Sequence, residues 1–176
     1  MSDSAKGKRE QEQDGGLDLT RKLKSLKLPE QTVPGIDEYL EDRRKALLFC
    51  SDADVRKWGR RWLEREDLEV AIVDDPARGL YSAETIEPHV IVIEAGFGAG
   101  LPTPLIQALS ESTKINAPII ALSANAKDLD LALNANVYDV VRKPYEWKLV
   151  GRRAGKAART GDIEQDLEHA RSRLSE

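Results

Sequence analysis

The chain has 176 residues, of which 40% are hydrophobic and 33% are charged, and its formal net charge is −4. This length suits one globular domain with extensions. The negative charge argues against general nucleic-acid binding through phosphate neutralisation. A single cysteine, Cys50, excludes a disulfide framework and a cysteine-based zinc site, and no apolar run suits a membrane span or a signal peptide. We therefore expect a cytoplasmic protein that binds neither a membrane nor nucleic acid directly.

The N-terminal part of the chain divides into two segments. Residues 1–16 are polar and charged, which predicts a disordered tail. Residues 17–45 form an N-terminal extension in which leucines from Leu17 to Leu28 are interleaved with lysine and arginine. This pattern predicts either a short amphipathic helix that docks on the domain or on a second chain, or a transiently helical tail. Both alternatives stay open.

Residues 46–159 alternate between short apolar runs and amphipathic segments. The runs predict strands over 46–50, 68–73, 89–94, 117–123 and 137–142, and the segments predict helices over 51–66, 76–86, 103–112, 126–136 and 145–159. The strands are apolar on both faces, which is typical of a parallel sheet covered by helices on both sides. The predicted fold class is therefore α/β, with a doubly wound five-stranded parallel sheet and right-handed crossovers.

The last segment, residues 160–176, predicts a separate helix. Gly161 suits a helix end, and Asp162 with Gln165 resembles a capping box that starts a new helix. A coiled-coil seam of under two heptads then follows from the 4, 3 and 4 spacing of Ile163, Leu167, Ala170 and Leu174. Since the pattern reaches the last residue without a stop signal, we expect a signalling helix that leads to an output domain outside this sequence.

Polar residues follow four of the five predicted strands. They are Ser51 and Asp52 after the first strand, Glu94 at the third, Ser123 at the fourth, and Lys143 with Pro144 at the fifth. Ligands of open parallel sheets bind at the carboxyl ends of the strands. The sequence therefore places acids, a hydroxyl and a lysine at one candidate site.

These features resemble the receiver domain of bacterial two-component response regulators. The runs LLFCSD, PHVIVIE, PIIALSA and DVVRKPY stand in the order of the family's four site motifs, and the resemblance covers about two-thirds of the chain. It implies a flavodoxin-like, receiver-type fold. It also implies roles for five positions and the proline after the last: the phosphoacceptor position (Glu94), the acid pair (Ser51, Asp52), the switch hydroxyl (Ser123) and the phosphate-pairing lysine (Lys143, followed by Pro144).

The chain departs from the family pattern at three positions. Glu94 stands where receivers have the phosphoacceptor Asp, Ser51 replaces the first acid of the Mg²⁺-binding pair, and Val140 or Val141 replaces the aromatic switch residue. Loss of a carboxylate weakens a site for a hard cation. We therefore expect no cofactor, and only weak Mg²⁺ binding at Asp52 and Glu94. Without the metal, the charge on a transferring phosphoryl group is poorly neutralised.

Glu94 suggests a hypothesis of its own. Its extra methylene carries the carboxylate about 1.5 Å farther out than that of an Asp, close to where phosphoryl oxygens would lie. There it could pair with Lys143 and accept a hydrogen bond from Ser123, an imperfect imitation of a phosphoryl group.

Plain structural roles are the alternative for several residues. Asp52 or Ser51 could be the N-cap of the following helix, and the pair 74–75 before a proline could cap the next one. The glycine-rich run at 96–100 lacks the Gly-Lys-Ser/Thr ending of a phosphate loop, which argues against a nucleotide role.

The tryptophans are expected to be mainly structural. Trp58 and Trp62 lie at helical spacing with Val55 and are predicted to belong to the core. For Trp147 the expectation is burial, with a place in a dimer interface as the alternative.

Together these features predict a pseudo-receiver that is not an enzyme. It would be a phosphorylation-independent regulatory domain of a bacterial signalling protein, a homodimer through the last receiver helix and the seam. It would control a C-terminal output domain, for which the family resemblance alone implies, as a first guess, a cyclic-di-GMP enzyme of the GGDEF or EAL type. Two alternatives stay open. One is a functional phosphoacceptor receiver of a response regulator or hybrid kinase, and the other is a stand-alone α/β module that binds a partner or ligand.

Overall fold

The computed structural model describes residues 43–174. The predictions for residues 1–16, for most of the N-terminal extension and for the last two residues lie outside this range. The strands are β1 (Lys45–Phe49), β2 (Glu69–Val73), β3 (Val90–Glu94), β4 (Ile119–Ser123) and β5 (Asp139–Arg142). The helices are α1 (Ala53–Glu64), α2 (Gly79–Ile86), α3 (Leu105–Glu111), α4 (Ala126–Asn134) and α5 (Trp147–Leu174).

The five strands form one parallel sheet in the order β2-β1-β3-β4-β5. The chain starts at β1, moves outward to β2 and then crosses back to β3, so the order reverses between β1 and β3. A crevice opens at the carboxyl ends of the strands at such a switch point. The register pairs Glu94 with Leu122 and Phe49 with Ile93, which brings the strand ends to similar heights. The predicted doubly wound sheet is confirmed.

Two apolar layers hold the helices on the sheet. Successive strand residues point to opposite faces, so one strand serves both layers. Leu48 and Val92 pack under α1 and α5, whereas Phe49 and Ile93 pack under α2, α3 and α4. All four side chains are fully buried. The continuous apolar runs of the sequence are therefore strands covered on both faces.

Two of the predicted caps are present at the start of helical segments. The Asp52 side chain caps α1, and the Asp75 side chain accepts a 3.0 Å hydrogen bond from the Ala77 N–H to cap a short 3₁₀ turn, Pro76–Arg78, that leads into α2. No helix in residues 43–174 is long and apolar enough to cross a membrane.

The prediction that Trp58 and Trp62 belong to the core is wrong. The buried residues of α1 are Val55, Gly59 and Leu63, and both indoles are only half-buried. The reason is close packing at Gly59, where a Cβ atom would lie 3.1 Å from a methyl of Leu48. The indoles therefore lie at the flank of α1, where the Arg65 guanidinium stacks 4.5 Å from the Trp62 ring centroid.

Helix α5 continues through Gly161 to Leu174, so the predicted helix end at Gly161 is wrong. A glycine inside a helix costs only about 1 kcal/mol. That cost is small beside the anchoring of the first half of α5, where Ala154, Ala157 and Ala158 are fully buried. The residues after Gly161 are mostly good helix formers. Asp162 therefore lies within the helix and does not start a new one.

Trp147, at the start of α5, is half-buried. Its ring meets the Tyr145 ring edge-on with centroids 5.3 Å apart, and both rings pack against the apolar layer under α1 and α5. Burial is thus the main role that the structure gives this side chain.

Candidate functional site at the carboxyl edge of the sheet

The carboxyl edge of the sheet brings the predicted site residues together. Glu94 ends β3, Ser123 ends β4, and the Lys143 N–H donates a 2.9 Å hydrogen bond to the Ser123 carbonyl. Ser51 and Asp52 follow β1 next to β3. The peptide bond between Lys143 and Pro144 is cis.

The carboxylate of Glu94 is bound by the turn between β1 and α1. Its Oε2 accepts hydrogen bonds from the Ser51 N–H at 2.7 Å and the Asp52 N–H at 3.4 Å, and the Ser51 hydroxyl lies 3.5 Å away. Backbone N–H groups at a helix start are natural donors to an anion. The longer Glu side chain therefore satisfies donors of this turn.

The expected hydrogen bond from Ser123 to Glu94 is wrong. The Ser123 hydroxyl donates instead to the Asn125 carbonyl at 2.9 Å, and this serine is only 3% exposed. Within residues 43–174, no ion pair joins Lys143 to Glu94. The hypothesis failed because it placed the carboxylate toward β4 and β5, whereas the N–H groups on the β1 side hold it.

Asp52 is the N-cap of α1, as one of the two alternatives predicted. Its Oδ1 accepts hydrogen bonds from the Asp54 N–H at 2.7 Å and the Val55 N–H at 3.1 Å. The backbone hydrogen bonds from Val55 and Asp54 lower the pKa of Asp52, and the positive charge of Lys143 lowers it further. The carboxylate is therefore ionised at neutral pH and engaged by the backbone.

The residues present do not fit the Mg²⁺ site of a receiver. Mg²⁺ requires near-octahedral oxygen ligands, chiefly carboxylates and waters. Here Ser51 supplies no carboxylate, Asp52 caps α1, and Glu94 is held by two N–H groups. No group of three His, Cys, Asp or Glu residues between 43 and 174 is arranged to hold a metal.

Asp128 is a site residue that the sequence reasoning missed. Its Oδ2 accepts a 3.1 Å hydrogen bond from the Ala124 N–H, and its Oδ1 lies 2.9 Å from where a Cβ atom of Gly96 would be. The Asn125 side chain in turn accepts a 2.9 Å hydrogen bond from the Asp128 N–H. The signal was an acid three residues after an Asn at a helix start, which resembles a capping box.

Tyr145 is the second missed residue, and its environment shows how acidic this edge is. Burial raises the pKa of Tyr145 to about 12, together with the negative charges of Glu94, Asp128 and Asp52. Burial also raises the pKa of the Cys50 thiol, with the charge of Glu94 adding to the effect. The negative charges of three carboxylates, at the end of β3, at the start of α1 and in the first turn of α4, thus act on Tyr145.

The glycine-rich loop after β3 is packed onto the domain. The Phe97 N–H donates a 2.8 Å hydrogen bond to the Glu94 carbonyl, and the Phe97 ring lies 6.0 Å from the ring of Phe49. Gly98 has a φ of 72°, a conformation that favours glycine, and a Cβ atom there would lie 2.8 Å from the Leu105 side chain. The glycines therefore serve the close return of the loop toward α3.

The sheet order and the two helical layers define the flavodoxin-like fold that receiver domains have. The chain resembles the KDP operon transcriptional regulatory protein KdpE of Escherichia coli, with 29% identity over 101 residues. The match covers 56% of this chain and 44% of that protein, so it spans less than half of the relative's length. No protein-family model matches the chain.

Solved structures, among them two receiver domains, share the fold. The receiver domain of the Francisella response regulator 1452 is 21% identical with a TM-score of 0.57, covering 66% of this chain and 98% of that one. Full-length FixJ from B. japonicum is 18% identical with a TM-score of 0.61, and the match covers 76% of this chain and 66% of FixJ. The third structure is the receiver domain of a sensor histidine kinase from Pseudomonas aeruginosa, solved with magnesium in its active-site cleft. It is 20% identical with a TM-score of 0.56, and the match covers 65% of this chain and 97% of that receiver domain.

Proposed function

We propose that this receiver domain is a pseudo-receiver, a regulatory domain that works without phosphorylation and is not an enzyme. One observation carries the proposal: both acids at the acceptor site are engaged by backbone donors. The Ser51 N–H holds Glu94, and the N–H groups of Asp54 and Val55 hold Asp52. A carboxylate that already accepts short hydrogen bonds is a poorer nucleophile and a poorer metal ligand.

The charge at the site supports the same proposal. Phosphoryl transfer requires cations that neutralise the charge of the transferred group. The charge of Lys143 acts on Asp52, whereas three carboxylates, those of Asp52, Glu94 and Asp128, act on Tyr145. An incoming phosphoryl group with about −1.5 to −2 charge is repelled by such a site. In addition, Asp128 already binds the Ala124 N–H, a donor that another anion would otherwise use.

The proposed regulation is mechanical, through the contact between α1 and α5. Glu94 ties β3 to the start of α1. Helix α1 in turn packs closely on α5, because a Cβ atom at Gly151 would lie 2.7 Å from the Trp62 carbonyl oxygen. A change at the strand ends would therefore move α1, and α1 would move α5.

Helix α5 carries the proposed dimer interface. Ile163, Leu167 and Leu174 are 60%, 52% and 88% exposed, and Ala170 is exposed as well. In the proposal, two copies pair through this seam in the bacterial cytoplasm and set the spacing of two C-terminal output domains. Our first guess for the output remains a cyclic-di-GMP enzyme of the GGDEF or EAL type.

Incubation with acetyl phosphate and Mg²⁺ tests the proposal by intact-protein mass spectrometry. The expected result is no added phosphoryl group on the natural chain. A double variant, Ser51→Asp with Glu94→Asp, restores the receiver pattern and serves as the positive control. A phosphoryl group on Glu94 or Asp52 of the natural chain would establish the alternative, a functional phosphoacceptor receiver.

A further inference from the structure

The seam and the buried face lie on nearly opposite sides of α5. An α-helix turns about 100° per residue, so positions along a continuous helix can be compared directly. Val150, Ala154 and Ala157 are buried against the sheet. The mean direction of the seam is rotated from theirs by about 140°. The apolar stripe of the second half of α5 thus points away from the helix's own domain.

A basic row continues this outward face toward the start of the helix. The row consists of Lys148, Arg152, Lys156 and Arg159, all exposed and three or four residues apart. It lies within about 40° of the seam around the helix axis. Within residues 43–174, none of the four takes part in an ion pair. One face of α5 therefore changes from cationic to apolar near residue 160.

The heptad register places the boundary of the paired region at this change. In this register Leu167 and Leu174 occupy heptad position a, and Ile163 and Ala170 occupy position d. Arg159 then occupies position g, and Glu164 occupies the next position e. In a parallel dimer such positions face each other across the two helices, so Arg159 of one copy would pair with Glu164 of the other. This pairing favours a parallel, in-register arrangement.

In the next layer of the heptad pattern toward the N-terminal end of α5, the same register brings like charges together. Lys156 falls at a d position, so two copies of it would meet on the two-fold axis, with Arg152 at the flanking g position of each copy. Arg152 and Lys156 form no ion pair with a carboxylate within residues 43–174, so these four cations of the dimer would repel one another, and apolar contacts cannot relieve this repulsion. An anion with several charges could bridge them.

We propose that the dimer has an anion-binding site on its two-fold axis, formed by Arg152 and Lys156 of both copies. This inference rests on the proposed dimer. The chemical class of the ligand is a multivalent oxyanion, such as a polyphosphate group. When the anion binds, the two α5 helices pair on the N-terminal side of residue 160. When the anion is absent, the helices separate on that side of residue 160. The site would thus regulate the rotation and spacing of whatever follows the seam.

Sedimentation of the full 176-residue chain tests this site, with sodium tripolyphosphate as the probe at fixed ionic strength. The expected result is that the probe lowers the dimer Kd about tenfold or more. Lys156→Gln should dimerise more tightly than the natural chain without the probe, and should lose most of the response to it. Lys127→Gln, which changes an exposed lysine on α4, is the matched control and should respond like the natural chain.

The outcomes separate the two proposals. Leu167→Asp should abolish the dimer, because it introduces a charge into the seam. A dimer that requires Leu167 but ignores tripolyphosphate, or a Lys156→Gln variant that responds like the natural chain, contradicts the anion site alone. A chain that stays monomeric in every solution contradicts both the anion site and the proposed dimer.

Discussion

The Glu94 carboxylate accepts a 2.7 Å hydrogen bond from the backbone N–H of Ser51, 43 positions earlier in the chain. This contact closes the acceptor position of the receiver fold onto the start of α1. The first acid of the family's Mg²⁺ pair is replaced by Ser51, so no neighbouring carboxylate at that position repels Glu94. The two departures from the family pattern are therefore complementary in space.

Removal of this contact should destabilise the domain. Glu94→Gln keeps the length but loses the charge-assisted hydrogen bond, and we expect a loss of about 1–2 kcal/mol in the free energy of unfolding. Urea denaturation followed by fluorescence measures it. Asp130→Asn, at an exposed position on α4, is the control and should change stability by less than about 0.5 kcal/mol. Equal stability of the two variants would show that the hydrogen bond contributes little.

The cap formed by Asp52 should make stability depend on acid pH. Its pKa is lowered in the folded state from an ordinary value of 3.8, chiefly by the N–H groups of Val55 and Asp54. Its contribution is therefore complete above that value and is lost as the pH falls through the lower folded pKa. Asp52→Ser keeps an N-cap without a titrating group. Thermal melts between neutral pH and about pH 3 should show a shallower acid decline for Asp52→Ser than for the natural chain.

Tyr145 should produce the opposite dependence at alkaline pH. Burial and the surrounding carboxylates raise its folded pKa from 10.0 to about 12, so the neutral form is favoured by folding. Its contribution to stability is complete below pH 10 and falls as the pH rises toward about 12. Tyr145→Phe removes this group, and its stability should decline less steeply over the same interval. Absorbance titration of the phenolates supplies a direct check, because one late-titrating tyrosine should be missing from the variant.

Close packing between α1 and α5 predicts the sign of the change in unfolding free energy that a Gly→Ala substitution causes. Gly→Ala inside a helix ordinarily stabilises by about 1 kcal/mol. At Gly151 the added Cβ would meet the Trp62 carbonyl oxygen at 2.7 Å, and a backbone atom cannot move aside cheaply. We therefore expect Gly151→Ala to destabilise the fold by about 1–3 kcal/mol in denaturant unfolding. Gly100→Ala, which meets no atom within 4 Å, is the control and should be nearly neutral. A stabilised Gly151→Ala would mean that the two helices separate easily.

The sequence determined the order of the elements and the edge on which the polar residues gather. Runs such as those around Leu48 and Val92 are apolar at every position, and only a strand covered on both faces buries all of them. Once the sheet is parallel, the residues that follow each strand must meet at its carboxyl edge. The cap at Asp52 was predictable from local sequence, because its hydrogen-bond partners lie only two and three residues away.

The tertiary structure decided what the sequence left ambiguous. The spacing of Trp58 and Trp62 suited a core face, yet Gly59 allowed α1 to approach the sheet on a different side. Gly161 had the local character of a helix end, but the packing of the preceding alanines and the helix-forming residues after it kept α5 continuous. Local propensities of about 1 kcal/mol are smaller than the free energy gained by burying a helix face.

The direction of the Glu94 carboxylate is the clearest such case. Sequence placed the residue at the strand end, but its side chain can turn toward either neighbouring strand. Two N–H groups at the start of α1 lie within its reach on one side, while the Ser123 hydroxyl is already bound to the Asn125 carbonyl on the other. A choice between partners that are distant in sequence depends on which donors remain unsatisfied, and only the folded arrangement settles that.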